Sequence, residues 1–153
     1  MAVLNADEVL KIDSIIDRVL DFSFGVHSRL GSFALESSYK TLIEKFLTKN
    51  GHKVECEKLI SFNYDGIEIV NGFRVDLLVD DSLIIELKAV KSLAPEHYRQ
   101  LATYLRFTGK SLGLLINFGG NSLKGNFSRL LNRQFSVPET LNEWIKVRHP
   151  FDA

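Results

Sequence analysis

The stretch FRVDLLVDDSLIIELKAV, residues 73–90, is the most strand-like part of the chain. Apolar residues lie on both sides of a central DD pair, which predicts two strands joined by a tight polar turn. Three charged residues interrupt this apolar pattern: Asp76, Glu86 and Lys88. A buried carboxylate without a partner costs several kcal/mol, so acids in such a segment are expected to have a cation as partner.

The spacing of these residues predicts a common site. Side chains of a strand alternate between its faces, so Glu86 and Lys88 share a face. A short turn makes the strands antiparallel neighbours, and counting back from it places Asp76 nearly opposite Glu86. Facing carboxylates repel unless a cation lies between them, and an all-oxygen site suits Mg²⁺ or Mn²⁺. Such a metal beside a lysine suits phosphodiester hydrolysis. A plain ion pair of Lys88 with either acid is the alternative.

Two predicted helices favour the metal site. In PEHYRQLATYLRFTG, Gln100 and Tyr104 are four residues apart, so they share a face of a helix that directly follows the strand of Glu86. In the helix predicted over residues 32–49, Glu36 adjoins an apolar stripe that we expect to be buried. The stripe consists of Leu35, Tyr39, Leu42 and Phe46. The helix dipole also favours an acid in a first turn, which is a purely structural explanation for Glu36.

The remaining pattern predicts one α/β domain over residues 1–153, with the element order α-α-β-β-β-β-α-β-α. An amphipathic helix over residues 7–23 comes first, and turns at residues 65–66, 71–72 and 80–81 divide four strands of an antiparallel meander. The apolar run SLGLLINFG predicts a strand buried on both faces. In the extension over residues 121–153, SLKGNFSRLLNRQFS is compatible with a strand or a helix, and PETLNEWIKV predicts a last helix.

Composition narrows the class of protein. The chain has 153 residues and zero formal net charge, with no apolar run near the ~20 residues that cross a membrane. It has no signal-peptide pattern and one cysteine, so we expect a cytoplasmic protein without membrane contact, disulfides or a cysteine zinc site. Residues 1–87 hold 9 Lys+Arg and 15 Asp+Glu, whereas residues 88–153 hold 10 and 4. This asymmetry fits an anionic partner, or simply an uneven solvated surface.

Five motifs in order, LGSFALESSY, FRVDLLVD, IIELKAV, HYRQLATYL and GLLINFG, resemble the GxxExxY family of the PD-(D/E)XK nuclease superfamily. The match covers about residues 30–119. The resemblance implies a three-layer α/β fold with its core at about residues 30–120. Its central mixed sheet, an antiparallel meander plus a parallel strand, is flanked by helices. Two positions depart from the family: Phe33 replaces its first glycine, and Ala94 replaces a frequent hydroxyl cap.

The same resemblance implies the site residues, which are Asp76, Glu86, Lys88, Glu36, Gln100 and Tyr104. Asp76 and Glu86 would hold Mg²⁺ or Mn²⁺, with the Leu87 carbonyl as a further ligand. Glu36 would complete the metal site directly or through water. Lys88 would be the catalytic lysine, and the Q-x-x-x-Y pair would position the substrate or that lysine.

We therefore expect a metal-dependent nuclease that hydrolyses phosphodiester bonds, of DNA more than of RNA. Four basic residues on or near the third helix are candidate phosphate contacts: Lys91, Arg99, Arg106 and Lys110. The alternative is a binding module that holds nucleic acid or a protein without cutting, which the neutral net charge fits slightly better. A third interpretation is an enzyme for another phosphorylated substrate. A homo-oligomer is compatible with all three.

Overall fold

The structure is a computed structural model that describes residues 2–148. Its helices are Ala6–Leu30 (α1), Glu36–Lys49 (α2), Pro95–Thr108 (α3) and Asn142–Arg148 (α4). Its strands are Ala2–Val3 (β1), Val54–Tyr64 (β2), Ile67–Val79 (β3), Leu83–Lys88 (β4), Leu112–Asn117 (β5), Phe127–Leu131 (β6) and Phe135–Ser136 (β7). None of the helices in this part of the chain is long and apolar enough to span a membrane.

A five-stranded mixed sheet forms the centre of the molecule, in the order β2-β3-β4-β5-β6. Strands β2, β3 and β4 form an antiparallel meander, and β4 pairs with β5 in parallel after the crossover through α3. Strand β6 is antiparallel to β5, while β1 and β7 form a separate two-stranded parallel sheet. The predicted fold class, a mixed sheet of an antiparallel meander plus a parallel strand flanked by helices, is confirmed.

Two apolar clusters hold the helices on the sheet. Helices α1 and α2 cover one face and pack on alternate residues of β3, β4 and β5, such as Leu77, Ile85 and Leu114. Helix α3 covers the other face, where its Leu101 and Leu105 belong to a second buried cluster. Because burial of apolar surface is the dominant favourable term in folding, these clusters fix α3 and α2 on opposite faces of the same strands.

The predicted hairpin turn at residues 71–72 is wrong, and the meander before α3 has three strands, β2, β3 and β4, rather than four. Strand β3 runs without interruption from Ile67 to Val79, and the register against β2 shifts between Ile60 and Phe62. Asn71 has a φ of 51°, as a turn residue would. Asn71 lies in a bulge inside a long hairpin and not in a chain reversal. Bulges and tight turns both use residues that tolerate positive φ, so the sequence does not distinguish them.

The boundaries of the first two helices also differ from the prediction. Helix α1 continues beyond residue 23 to Leu30, because its buried positions continue through His27. Helix α2 begins at Glu36 and not at residue 32, and its buried stripe is Tyr39, Ile43 and Leu47. Of the predicted stripe only Tyr39 is fully buried: Leu35 is 74% exposed, and Leu42 and Phe46 are partly buried. Since Leu35 precedes the first helical residue, the buried stripe starts at Tyr39 instead.

Tyr39 fixes the connection between α1 and α2. Its hydroxyl donates to the Gly31 carbonyl at 2.6 Å and accepts from the Ala34 N–H at 3.3 Å. Its ring stacks on Phe118 with centroids 4.2 Å apart. Phe33, which stands where the GxxExxY family has glycine, is 95% exposed and leaves this turn intact.

The start of α3 has a cap although Ala94 lacks a hydroxyl. The Ala94 N–H donates to His97 Nδ1 at 2.9 Å, and the His97 N–H donates to the Ala94 carbonyl at 3.0 Å. The histidine therefore satisfies backbone groups that a family member with a hydroxyl cap would satisfy differently.

The described part of the extension, residues 121–148, packs on α1. The segment for which sequence left strand and helix open contains strand β6, and the last predicted helix is present as a 3₁₀ turn, Glu139–Leu141, followed by α4. Arg129 of β6 donates to Asp17 at 2.7 Å, and Arg148 of α4 donates to the buried Asp13 at 2.6 Å. These ion pairs attach both elements to the first helix.

Candidate active site

Strands β3 and β4 part at Asp76 and Glu86. The two strands form three residue pairs, and the last of these is Leu77 with Ile85. Beyond that pair the Asp76 N–H donates to Glu86 Oε1 at 2.8 Å, and the Leu87 N–H donates to Asp76 Oδ2 at 2.8 Å. Each carboxyl group thus accepts a backbone N–H from the opposite strand. The structure brings the two carboxyl groups together, in the arrangement that strand alternation and the turn predict.

Glu86 is the more strongly perturbed of the two acids. It is 4% exposed. Burial and then the negative charge of Asp76 raise the pKa of Glu86 to about 9, although Lys88 and the Asp76 N–H lower it. The acid pair therefore holds a proton at neutral pH when no cation is bound. A divalent cation would supply the positive charge that lets both groups ionise, so the acid pair fits a metal such as Mg²⁺ or Mn²⁺.

The lysine is held by the helix above it. Lys88 Nζ donates to Gln100 Oε1 at 2.9 Å, and the Gln100 amide lies close enough to the Tyr104 hydroxyl to lower its pKa. The Tyr104 ring stacks on Phe73 with centroids 4.5 Å apart, and burial raises the pKa of its hydroxyl. One face of α3 and the end of β4 are therefore connected side chain to side chain, with the ammonium group beside the acids.

The structure does not bring the Glu36 carboxylate into a metal-ligand set with Asp76 and Glu86. Glu36 is exposed at the first position of α2. No set of three or more His, Cys, Asp or Glu side chains that could hold a metal occurs within residues 2–148. This arrangement does not favour a direct bond from Glu36 to an ion between Asp76 and Glu86, and a role of Glu36 through water stays a prediction.

Lys40 is a charged residue near the site that sequence reasoning missed. It lies four residues after Glu36 and donates to Glu57 Oε1 at 2.6 Å. Burial lowers the pKa of Lys40, but its hydrogen bond to Glu57 and the negative charges of Asp76 and Glu57 outweigh burial, and the pKa is raised. The i,i+4 spacing from Glu36 was the available signal, because such residues share a helix face.

Asn117 is a second residue that sequence reasoning missed. It pairs with Lys88 across the parallel strands and is 0% exposed. Its Oδ1 accepts from the N–H groups of Val90 and Gly119, each at 3.0 Å. Its Nδ2 donates to the Val90 carbonyl at 2.9 Å and to Asn126 at 3.0 Å. Every hydrogen-bonding group of the amide is satisfied, which anchors the backbone just after Lys88. A polar residue ending the apolar run LGLLIN was the signal.

The four predicted phosphate contacts lie in three separate places. Lys91 is exposed in the segment after β4. Lys110 forms an ion pair with Asp81 at 3.1 Å, beside the β3–β4 turn and so at the opposite end of β4 from Lys88. Arg99 and Arg106 are exposed on α3, on a different face from Gln100 and Tyr104.

The superfamily is established by comparison with known proteins. A sequence model described as PD-(D/E)XK nuclease superfamily matches residues 13–130, which include all five strands of the main sheet apart from the last residue of β6. The chain belongs to the PD-(D/E)XK nuclease superfamily, whose members are usually nucleases and generally use divalent metals. Searches of curated proteins and of solved structures found no significant match to this chain.

Proposed function

We propose that this protein is a divalent-metal-dependent nuclease of the GxxExxY family that hydrolyses phosphodiester bonds, of DNA in preference to RNA. The observation that carries the proposal is a pair of crossed hydrogen bonds beside Lys88. The Asp76 N–H donates to Glu86, and the Leu87 N–H donates to Asp76. Two facing acids do not stabilise a pair of antiparallel strands by themselves, because their negative charges repel. Membership of the superfamily gives the pair its chemical interpretation.

Asp76 and Glu86 would hold Mg²⁺ or Mn²⁺, with the Leu87 carbonyl as a further ligand and Glu36 acting through water. A bound metal supplies positive charge to a phosphoryl oxygen and lowers the pKa of a water molecule. The crossed hydrogen bonds orient both carboxyl groups before any ion arrives, because each backbone N–H fixes one carboxyl oxygen. Held on two strands of a packed sheet, the acids have the rigidity that such a site needs.

Lys88 would place a positive charge beside the phosphate or orient the attacking water. Gln100 accepts from its ammonium group, which fixes the position of the charge without neutralising it. Tyr104, stacked on Phe73, keeps Gln100 in place. These three side chains contribute positioning and electrostatic stabilisation, which are the largest protein contributions in phosphoryl-transfer chemistry.

The test is cleavage of labelled single- and double-stranded DNA and RNA with Mg²⁺ or Mn²⁺, by wild type and by Asp76→Asn. We expect the variant to lose at least about a hundredfold in rate, since even groups that only support a metal's ligands cost up to that much. The matched control is Asp65→Asn, the same change at an exposed residue of the β2–β3 turn. Cleavage that persists in Asp76→Asn or in excess EDTA would overturn the proposal.

A binding module without catalysis is the second candidate. The neutral net charge favours it, as does the acid pair's lack of a third acidic neighbour in the described part of the chain. This candidate predicts salt-dependent binding of nucleic acid with no turnover under any metal. The cleavage experiment therefore decides between the two functions.

A further inference from the structure

A cavity of about 450 Å³ lies between α3 and the end of β6, away from the acid pair. We call it the arginine cavity, because three arginines and a glutamine line it: Arg99, Arg106, Arg133 and Gln134. Ala102, Thr103 and Leu131 contribute a less polar surface. No acidic residue among residues 2–148 lines it, so its electrostatic character is that of an anion site.

Two of the arginines are available to a ligand. Arg99 and Arg106 are two helical turns apart on one face of α3, with Thr103 between them. Both are exposed, and neither forms an ion pair with an acid of residues 2–148. Neighbouring guanidinium groups repel one another unless an anion lies between them. The planar N–H donors of each guanidinium group match two oxygens of a phosphate, so a phosphate is the anion that suits these side chains.

The walls of the arginine cavity are fixed before any ligand binds. Asn132 is 4% exposed, and its Nδ2 donates to the carbonyls of Leu105 and Lys110, each at 2.9 Å. Its Oδ1 accepts from the Gln134 N–H at 3.0 Å. A buried amide thus ties the end of α3 to the turn after β6. Preorganised walls reduce the ordering cost of binding.

The size and lining select the class of ligand. The volume lies within the usual range for ligand pockets. A phosphate between the arginines would leave space for a sugar or a base against Ala102 and Leu131. Helix α3 also carries Gln100, the partner of Lys88, on its other side. A single nucleic-acid strand that crosses this helix would therefore contact both the arginine cavity and the site of Lys88 and Gln100.

We propose that the arginine cavity is a phosphate-binding subsite for a nucleic-acid strand, at a phosphate other than the one that reacts. The proposal rests on the proposed function for its choice of ligand. The subsite anchors the strand on the far side of α3 and so contributes affinity and orientation rather than chemistry.

The first experiment measures binding of a fluorescent single-stranded oligonucleotide in EDTA, by anisotropy at several salt concentrations. Arg99→Gln combined with Arg106→Gln should weaken binding at least about tenfold and reduce the salt slope by about 0.7 for each lost phosphate contact. The control, Lys45→Gln combined with Lys49→Gln, removes the same charge from exposed positions of α2 and should bind like wild type. Equal affinity of the arginine variant and wild type would overturn the proposal.

The second experiment separates a cavity from diffuse surface charge. Thr103→Phe fills the cavity without changing the net charge, and its melting temperature shows whether it folds. We expect weaker oligonucleotide binding by this variant. If Thr103→Phe binds like wild type while the arginine variant does not, the arginines act as a surface patch and the cavity proposal is wrong.

Competition identifies the source of the phosphate. Inorganic phosphate and AMP should compete only weakly, because each occupies one of several contacts made by a strand. The assignment to nucleic acid would be overturned if Arg99→Gln combined with Arg106→Gln abolished tight AMP binding but left the affinity for the oligonucleotide unchanged. If wild type binds the oligonucleotide through these arginines but never cuts it, the subsite proposal is supported and the nuclease proposal is wrong.

Discussion

At the residue scale, the buried acid Glu86 makes the metal-free protein sensitive to pH. Its pKa rises from 4.5 to about 9 on folding. Between these values the folded chain binds more protons than the unfolded chain. The free energy of unfolding therefore falls as pH rises, by up to about 1.4 kcal/mol per pH unit. The contribution of the Glu86 carboxyl group to the free energy of unfolding is fully present below pH 4.5 and is lost as the pH rises toward 9.

Glu86→Gln should remove this dependence, because the amide keeps the size of the protonated acid and cannot ionise. In EDTA, we expect the variant to melt close to wild type near pH 4.5 and above it at about pH 8. Thermal melts across this range measure the difference. Glu68→Gln, an exposed glutamate on β3, is the control and should follow wild type throughout. A difference between Glu86→Gln and wild type that does not grow with pH would contradict the assignment.

Lys88 and Gln100 should act as a unit in catalysis. Lys88→Met removes the charge, and we expect kcat to fall about a hundredfold or more with little change in metal affinity. Gln100→Leu leaves the charge but frees its position, which should cost about tenfold. The double variant should be no worse than Lys88→Met alone, as for residues in direct contact. Single-turnover kinetics measure this, and fully additive losses would show that Gln100 acts independently of the lysine.

At the scale of elements, the site depends on how strand ends are joined. Strands β3 and β4 part at the acids, while β4 and β5 remain paired as far as Lys88 and Asn117. Asn117 then anchors the segment that leaves β4 toward α3. Gly119 allows this close approach, since a Cβ there would lie 2.2 Å from the Val90 carbonyl oxygen. The junction of β4, β5 and the following segment therefore sets where Lys88 is presented.

Asn117→Ala should destabilise the protein by about 3 kcal/mol, because it removes a fully buried amide and leaves the partly buried N–H and carbonyl of Val90 without partners. Urea denaturation measures the change in the free energy of unfolding. Asn63→Ala, at an exposed position of β2, should change it by less than about 0.5 kcal/mol. Similar values for the two variants would mean that water replaces the lost hydrogen bonds.

Sequence reasoning predicted elements well where the pattern is local. Strand alternation was enough to place Asp76 opposite Glu86, and helical spacing was enough to put Gln100 and Tyr104 on one face. It was wrong at Asn71, because turn chemistry is the same in a hairpin loop and in a bulge.

The contacts that sequence could not predict join segments distant along the chain. Asn117 meets the segment after β4, Lys40 of α2 lies near Asp76, and Asn132 ties the end of α3 to the turn after β6. No local periodicity carries information on which of these residues meet. Only the tertiary arrangement of the strands, helices and connecting segments brings them together.

At the scale of the whole molecule, metal binding should couple to folding. A ligand that binds only the folded state stabilises it by about 2.7 kcal/mol at a hundred times its Kd. We expect Mg²⁺ or Mn²⁺ to raise the Tm of wild type but not that of Asp76→Asn. The increase should be larger at about pH 8 than at about pH 6, because the ion displaces a proton held at Glu86. Calorimetry in buffers of different ionisation enthalpy would count that proton, and a metal effect independent of pH would contradict the linkage.

The crossed hydrogen bonds of the acid pair make two amides into natural spectroscopic probes. The N–H groups of Asp76 and Leu87 have as acceptors the carboxyl groups whose ionisation a cation would change. A hydrogen bond to a charged acceptor is shorter and stronger than one to a neutral acceptor. The NMR chemical shifts and hydrogen-exchange rates of these two amides therefore report what occupies the site, with no nucleic acid and no engineered label.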